Sequence, residues 1–314
     1  MANATPSRLG QINNTGAADA LFLKVFAGEV LTAFAEKNVM ADKVMARTIA
    51  AGKSAQFPLM GKVGAEYHVP GTELTGLNLP AAERIITIDD VLLSHTFISN
   101  IDEAKNHYDV RSTYSTEMGF ALANQMDKHL LQMGVLAARD VGGAVTGEPG
   151  GGLITLTATP SVTELQDAIF AAAQTFDEKD IPEDERYFYI RPADYYKLIK
   201  DTKAINQDWK GAGSYSDGQV TRIAGLQIVA TNHIPSTVVA GGTVAAGTGN
   251  KYAGDFSKVV GLAMQKTCLG TVKLLDLGME SEYDIRRQGT LMVAKYLMGH
   301  GILRPGAAFE VRKA

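Results

Sequence analysis

The chain has 314 residues, 46% hydrophobic and 20% charged, which is enough apolar side chain for a packed core and excludes global disorder. A net charge of −4 excludes a chain-wide grip on nucleic acid, which needs a concentrated basic face. Cys268 is the single cysteine, so no intrachain disulfide forms and a reducing cytoplasm suits the protein.

Residues 1–18, rich in Ala, Asn, Thr and Gly, read as a mobile arm and lack the apolar stretch of a secretion signal. Residues 20–35 have the spacing of an amphipathic helix, with Leu21, Val25, Leu31 and Phe34 among its apolar positions. Residues 44–60 switch to an extended pattern, followed by a polar tip punctuated by Gly61, Gly64, Pro70, Gly71, Gly76 and Pro80. Ile, Val, Thr and Phe then return at 84–88 and 91–98, a β-type composition. Two strand-like runs around a long tip describe a two-stranded arm. Isolated hairpins are marginal in water, so this one is expected to lie on a neighbouring subunit.

The longest helical pattern follows. Asn100 stands at the N-cap with Glu103 in capping-box position. Apolar or small residues recur at Ile101, Ala104, Tyr108, Tyr114, Met118, Ala121, Leu122, Met126, Leu130, Met133 and Ala137, the stripe of a buried helix face. A helix over 101–139 spans roughly 60 Å at 1.5 Å per residue, a rod suited to an elongated subunit that tiles a surface. Gly142 and Gly143 end it, and the glycine-rich stretch 142–152 reads as a hinge between domains. Beyond it, Ser161 and Glu164 open a helix through Leu165, Ile169 and Phe176. A strand over 186–191, a helix begun by Pro192 and a strand over 226–230 come next. Residues 240–250 form a glycine-rich exposed loop. The tail is extended, with β-type runs at 271–275, 283–286 and 291–297, placed to pack back along the long helix.

Few motifs carry chemistry. Gly52-Lys53-Ser54 is the tail of a phosphate-binding loop, but the first glycine of that motif is replaced by Arg47 and no strand-to-helix switch occurs there. Asp89-Asp90 reads as a solvated turn, and Asp102-Glu103 as acids at a helix N-terminus. The six histidines, at 68, 95, 107, 129, 233 and 300, are scattered without metal-ligand spacing. Residues 177–186 are acidic but lack the spacing of a calcium loop, so they read as a solvated connection. Arg286, Arg287, Arg304, Arg312 and Lys313 make the tail locally basic. Interleaving with Glu280, Glu282 and Asp284 favours pairing at an interface over a nucleic-acid contact. No catalytic, cofactor-binding or metal-ligating constellation emerges, and the expectation is a protein that is not an enzyme.

Several stretches resemble the major capsid proteins of T-seven-like short-tailed phages. They are residues 20–35 (ALFLKVFAGEVLTAFA), 52–58 (GKSAQFP), 106–112 (NHYDVRS), 270–274 (GTVKL), and 294–301 (AKYLMGHG) with Arg304-Pro305. They fall in the same order along most of the chain, with a looser match over 140–265. The resemblance implies an α+β, HK97-like capsid fold. Residues 1–50 would be its N-terminal arm, 51–93 the extended two-stranded E-loop, and 94–152 the peripheral P-domain with the spine helix. Residues 153–262 would form the axial A-domain, and 263–314 the remaining P-domain strands.

Further implications concern assembly. Subunits would join as hexamers and pentamers of an icosahedral shell, built in the host cytoplasm around double-stranded DNA. Scaffolding and portal proteins would be partners, with a decoration protein as a further one and no membrane. Expected intersubunit contacts are Lys53, Phe57, Lys62, Tyr67, Pro70, Asn106, His107, Asp109 and Arg111. The negative net charge would keep the shell lining from gripping DNA. Rival readings are an encapsulin-type shell, a nucleotide-hydrolysing enzyme resting on Lys53 and Ser54, and a monomeric surface-binding module.

Overall fold

A computed structural model describes residues 39–73, 76–101, 110–142, 144–145, 147–199, 222–241, 243–244 and 248–314. The predicted helix over 20–35 lies outside the described residues. The chain divides into two compact units. Among the described residues, the first is built from 91–101, 110–125 and 275–297, and the second from the rest.

In the first unit, strand β4 (Leu92–Ser99) pairs antiparallel with strand β15 (Gly289–Ile302), in a register running from Gly289 opposite Ser99 to Tyr296 opposite Leu92. Strand β14 (Leu269–Asp284) precedes β15. The predicted extended run at 283–286 is half wrong, because residues 285–288 form the turn between these strands. Gln288 takes a positive φ of 51° there, and Arg287 N–H donates to the Asp284 carbonyl at 3.2 Å. Asn100 is tied to that turn: its backbone N–H donates to the Gln288 carbonyl and its side-chain amide to the Tyr283 hydroxyl. Glu103, its predicted capping partner, lies outside the described residues.

Helix α1 covers Val110–Arg139, 30 residues and about 45 Å. Asn100 and Ile101 are also helical, and the residues between are outside those described. The expected stripe holds at Met118, Leu122, Met126, Leu130, Met133 and Ala137, which are buried. Ile101 and Ala121 are exposed instead. From Met126 onward, Leu131, Val135 and Ala138 are buried too, so the second half of the helix is covered nearly all round.

The second unit centres on a six-stranded mixed sheet. Its members are β5 (Gly152–Leu156), β6 (Arg186–Ile190), β7 (Arg222–Ile223), β8 (Leu226–Ala230), β13 (Val259–Gln265) and β16 (Ala308–Lys313), in the order β5-β16-β13-β6-β8-β7. β13, near the middle, is buried at all seven positions. Helix α2 (Val162–Glu178) lays Leu165, Ile169, Ala172 and Phe176 on the sheet, and α3 (Pro192–Ile199) adds Leu198 and Ile199. The predicted capping box is present: Glu164 N–H donates to Ser161 Oγ, and Ser161 N–H donates to the Glu164 carboxylate at 2.8 Å. Short pairs join β9 (Val238–Val239) to β12 (Gly254–Asp255), and β10 (Thr243–Val244) to β11 (Thr248–Gly249). The 262/263 division drawn from the resemblance runs through β13, and β16 joins the sheet of β5, β6 and β8.

The glycine-rich stretch after α1 lies inside this unit, and its last glycines, Gly150 to Gly152, are packed closely against Val141, Ala138 and Phe309. Gly151 N–H donates to the Asp140 carbonyl at 2.7 Å, and a Cβ at Gly151 would sit 2.2 Å from the Ala138 carbonyl oxygen. Only a residue without a side chain admits that approach.

Candidate assembly interface

Strands β2 (Ser54–Met60) and β3 (Ala81–Thr87) pair antiparallel over their whole length, Ser54 opposite Thr87 and Met60 opposite Ala81, forming the predicted arm. Strand β1 (Met45–Thr48) precedes them and runs parallel to Gly270–Lys273 of β14. The expected single extended run over 44–60 is therefore two strands. Gly52, at φ +123°, makes the turn between them. Lys53 leads into a strand and its carbonyl accepts from Ile88 N–H, so this position has no helix N-terminus to cradle a phosphate.

Alternation along β2 and β3 turns Ala55 and Ile86 inward, where they pack with Val272 and Leu303. Beneath this small cluster the arm stands on bare backbone. A Cβ on Gly299 would meet the Thr87 carbonyl oxygen at 2.2 Å and Ile88 Cα at 2.8 Å. Cβ atoms on Gly270 and Gly301 would meet the Ile86 side chain at 2.8 and 2.7 Å. Three glycines on two strands thus form the floor on which β3 ends.

His300, between two of those glycines, is buried and holds Thr271 Oγ1 at 2.9 Å through Nδ1. Burial pushes its pKa down to about 3, so the ring is neutral near pH 7. Beside it, Tyr252 donates its hydroxyl to the Asp89 carboxylate, and Lys251 pairs with the same carboxylate at 2.6 Å. Lys251 also donates to the Thr87 carbonyl at 3.2 Å. The Tyr252 ring stacks on His129 at 4.1 Å between centroids and 5° between planes. Burial brings His129 down to about 4, with Asp89 opposing that fall and Lys251 assisting it. Asp89, read in sequence as part of a solvated turn, is the polar clamp at the arm's root. Two histidines scattered in sequence meet at one tyrosine.

Farther out, Gly61 N–H donates to the Pro80 carbonyl at 2.8 Å, and Lys62 pairs with Asp180 at 2.7 Å. Both side chains of that ion pair are exposed, so it contributes little. The tip has no cover of its own: Tyr67 is wholly exposed, Met60 is 72% exposed and Val69 63%. Among the other expected contacts, Lys53 and Pro70 are exposed and Phe57 is half-buried under the Arg47 guanidinium, 5.6 Å above its ring. In the first unit, Arg111 reaches Thr290 Oγ1 at 3.4 Å. Asn106, His107 and Asp109 lie outside the described residues. The structure thus gathers Lys53, Phe57, Lys62, Tyr67 and Pro70 on the arm. Sequence reasoning missed the glycine floor, Asp89, Lys251 and Tyr252. A glycine on either side of His300, just beyond the β-type run at 291–297, was the one available signal.

The basic tail is paired locally: Arg287 with Asp284 at 3.3 Å and Lys295 with Glu280 at 2.6 Å. No group of three or more His, Cys, Asp or Glu able to hold a metal occurs among the described residues. Among those residues, no helix is long and apolar enough to cross a membrane. What these residues do is mechanical: they hold an apolar arm at a fixed root and leave its tip bare.

Residues 56–312 match the family of Gp10A-like major capsid proteins. The chain is 34% identical to the major capsid protein of Escherichia phage T7, over 93% of this chain and 91% of that one. It belongs to this major capsid protein family. The major capsid protein of Enterobacteria phage T3 is similar to the same degree, 34% over 92% of this chain and 90% of the other. Among solved structures, the capsid of Cyanophage P-SCSP1u shares 44% identity with a TM-score of 0.84, covering 100% of this chain and 99% of that one. The mature capsid of bacteriophage PhiM1 shares the fold at 20% identity and a TM-score of 0.77, over 93% of this chain and 92% of that one. The HK97-like fold expected from the resemblance is the fold of this capsid protein. The protein is a major component of a phage shell, and its relatives are capsid proteins, which sets aside the encapsulin and nucleotide-hydrolase readings.

Proposed function

We propose that this capsid protein assembles as hexamers and pentamers into an icosahedral shell enclosing double-stranded DNA, with the β2–β3 arm of each subunit laid over a neighbour. The observation that carries this reading is the bare tip: Met60, Val63, Tyr67, Val69 and Leu77 all face solvent in the single chain. Covering five such side chains is worth on the order of 10 kcal/mol gross, at roughly 1.5–3 kcal/mol each. Association costs of about 4–15 kcal/mol offset much of that gain. One arm contact is therefore weak, and a closed ring of them is stable because each later contact forms at high effective concentration.

Residues 51–93 then serve as the E-loop, with 1–50 as N-terminal arm, 94–152 and 263–314 as P-domain and 153–262 as A-domain. Lys53, Phe57, Lys62, Tyr67 and Pro70 contact neighbours from the arm, and Asn106, His107, Asp109 and Arg111 from the start of the long helix. The subunit has no catalytic role and assembles in the host cytoplasm with a scaffolding protein, a portal and a decoration protein. The test is expression with and without a candidate scaffolding protein, followed by electron microscopy. Closed shells, or discrete hexamers and pentamers, are expected. A stable monomer at high concentration in both preparations overturns the reading.

A further inference from the structure

Where β2 passes into the tip, the second unit holds a cavity of about 270 Å³. Its walls are partly apolar, from Leu59, Val145, Ile181 and Ala307. Its charged groups are Lys62, Lys179, Arg304, Glu148 and Asp180. Lys62 and Asp180 satisfy each other at 2.7 Å, and the Glu148 carboxylate accepts from Ala144 N–H at 2.9 Å. Lys179 donates to the Gly150 carbonyl, at 2.9 Å, and Arg304 is exposed. Among the described residues neither cation is within salt-bridge distance of a carboxylate. A half-apolar recess with two cations to spare suits a peptide segment carrying both apolar side chains and carboxylates.

The chain carries such a segment. Val63, Tyr67 and Val69 stand exposed on the arm tip together with Glu66 and Glu73. Among the described residues these acids have no ion pair, and Tyr67 is wholly exposed, so the tip does not fill its own subunit's cavity. We propose that the cavity beside the outer end of β2 in one subunit receives the arm tip of a second copy, with Glu66 and Glu73 meeting Lys179 and Arg304. Residues 63–73 of the tip do not line the cavity, so the contact is head-to-tail, the kind that closes rings. The proposal rests on the assembly reading above and names its receiving surface.

The test exploits Cys268, which is fully buried and gives no accessible background thiol. Chains carrying both Tyr67→Cys and Pro182→Cys are assembled and oxidised with copper phenanthroline. A ladder of disulfide-linked oligomers is expected on a non-reducing gel. A mixture of the two single-cysteine chains should stop at dimers. Normal shells that yield only monomer, or a faster-migrating intrachain product, overturn the proposal and leave the assembly reading intact. Wild-type chains that form no shells overturn the assembly reading itself. A second variant guards against misfolding: Arg304→Glu should lower shell yield at least tenfold with an unchanged circular dichroism spectrum. An unchanged yield overturns the proposal.

Discussion

The ion pair at the end of α1 gives a quantitative test of what holds the second unit together. Glu310 on β16 is fully buried and receives two N–H groups from Arg139, at 2.6 and 2.7 Å. A third Arg139 N–H reaches the Asp255 carbonyl at 2.7 Å, and its guanidinium lies 5.5 Å above the Phe256 ring. Arg139 also stands in the last turn of the helix, where a cation complements the dipole. Hydrogen bonding to Glu310 raises its pKa further, so the cation persists at any workable pH. Replacing Arg139 by Met strands a buried carboxylate, at a cost of about 3–5 kcal/mol. Glu310→Gln leaves the guanidinium partly exposed to water and should cost somewhat less, about 2–4 kcal/mol. For a chain of this size each kcal/mol shifts Tm by about 2 °C, so Arg139→Met should lower it by about 6–10 °C. The double variant Arg139→Met/Glu310→Gln removes both charges and should be milder than the summed single changes by about 1–3 kcal/mol. Urea unfolding of the unassembled chain, followed by circular dichroism, measures all three. Costs under about 1 kcal/mol for Arg139→Met, or a double variant equal to the sum, would refute the reasoning.

Four further outcomes are expected. His300 is held at about 3 by burial while an unfolded histidine titrates near 6.5, so between those values only the unfolded chain binds the proton. Stability should therefore fall as pH drops from about 6.5, by up to about 1.4 kcal/mol per unit from this residue. His129, brought to about 4, acts in the same direction. Urea midpoints from pH 7 to 4.5 should show the slope, and His300→Gln should flatten it; an unaltered slope counts against the assignment. Gly299→Ala places a methyl against the Thr87 carbonyl and should cost about 1–3 kcal/mol, read as a lower urea midpoint and fewer shells. Replacing residues 62–80 by a short Gly-Ser link should leave the circular dichroism of the folded chain in place while abolishing shells, and normal particles from that variant would show the arm misassigned. Assembled empty shells should bind added double-stranded DNA weakly with a shallow salt dependence, and a steep loss of binding with salt would disprove the role given to the net negative charge.

Much of the fold was legible because local chemistry and tertiary demand agree. Ser161 and Glu164 cap a helix wherever they fall before an apolar 3.6-residue pattern, and Leu165, Ile169 and Phe176 then face the sheet. The strand predicted at 226–230 matches β8 residue for residue. The arm was readable from two β-type runs and a glycine- and proline-rich tip. Its floor was not, because the need for Gly270, Gly299 and Gly301 lies in Ile86 and Thr87, far away in the chain. Asp89 was misread for the same reason: nothing near it in sequence announces Lys251 or Tyr252. The turn at 285–288 was mistaken for strand because Ile285 carries a β-type side chain, while the turn is imposed by pairing of the strands on either side. Within 142–152, Gly142 and Gly147 have open space around them while Gly150, Gly151 and Gly152 are crowded, a difference that depends on Ala138, Val141 and Phe309 and is not visible in the glycines themselves.

The contrast between the arm's root and its tip bears on how assembly is timed. At the root, polar groups are matched: Asp89 is bound by Lys251 and Tyr252, His300 by Thr271, and Ile88 N–H by Lys53. At the tip, apolar side chains are left in water. A root built from backbone packed on backbone fixes where the arm leaves the body before any neighbour arrives. Because the root is already ordered, binding has fewer residues left to immobilise and keeps more of the modest gain from covering the tip. A longer apolar patch on an unanchored arm would bind sooner and less selectively, as an aggregation surface does. On the proposed assembly, anchoring the root and limiting the bare surface to a few side chains would let a folded monomer persist and still close a ring at high concentration.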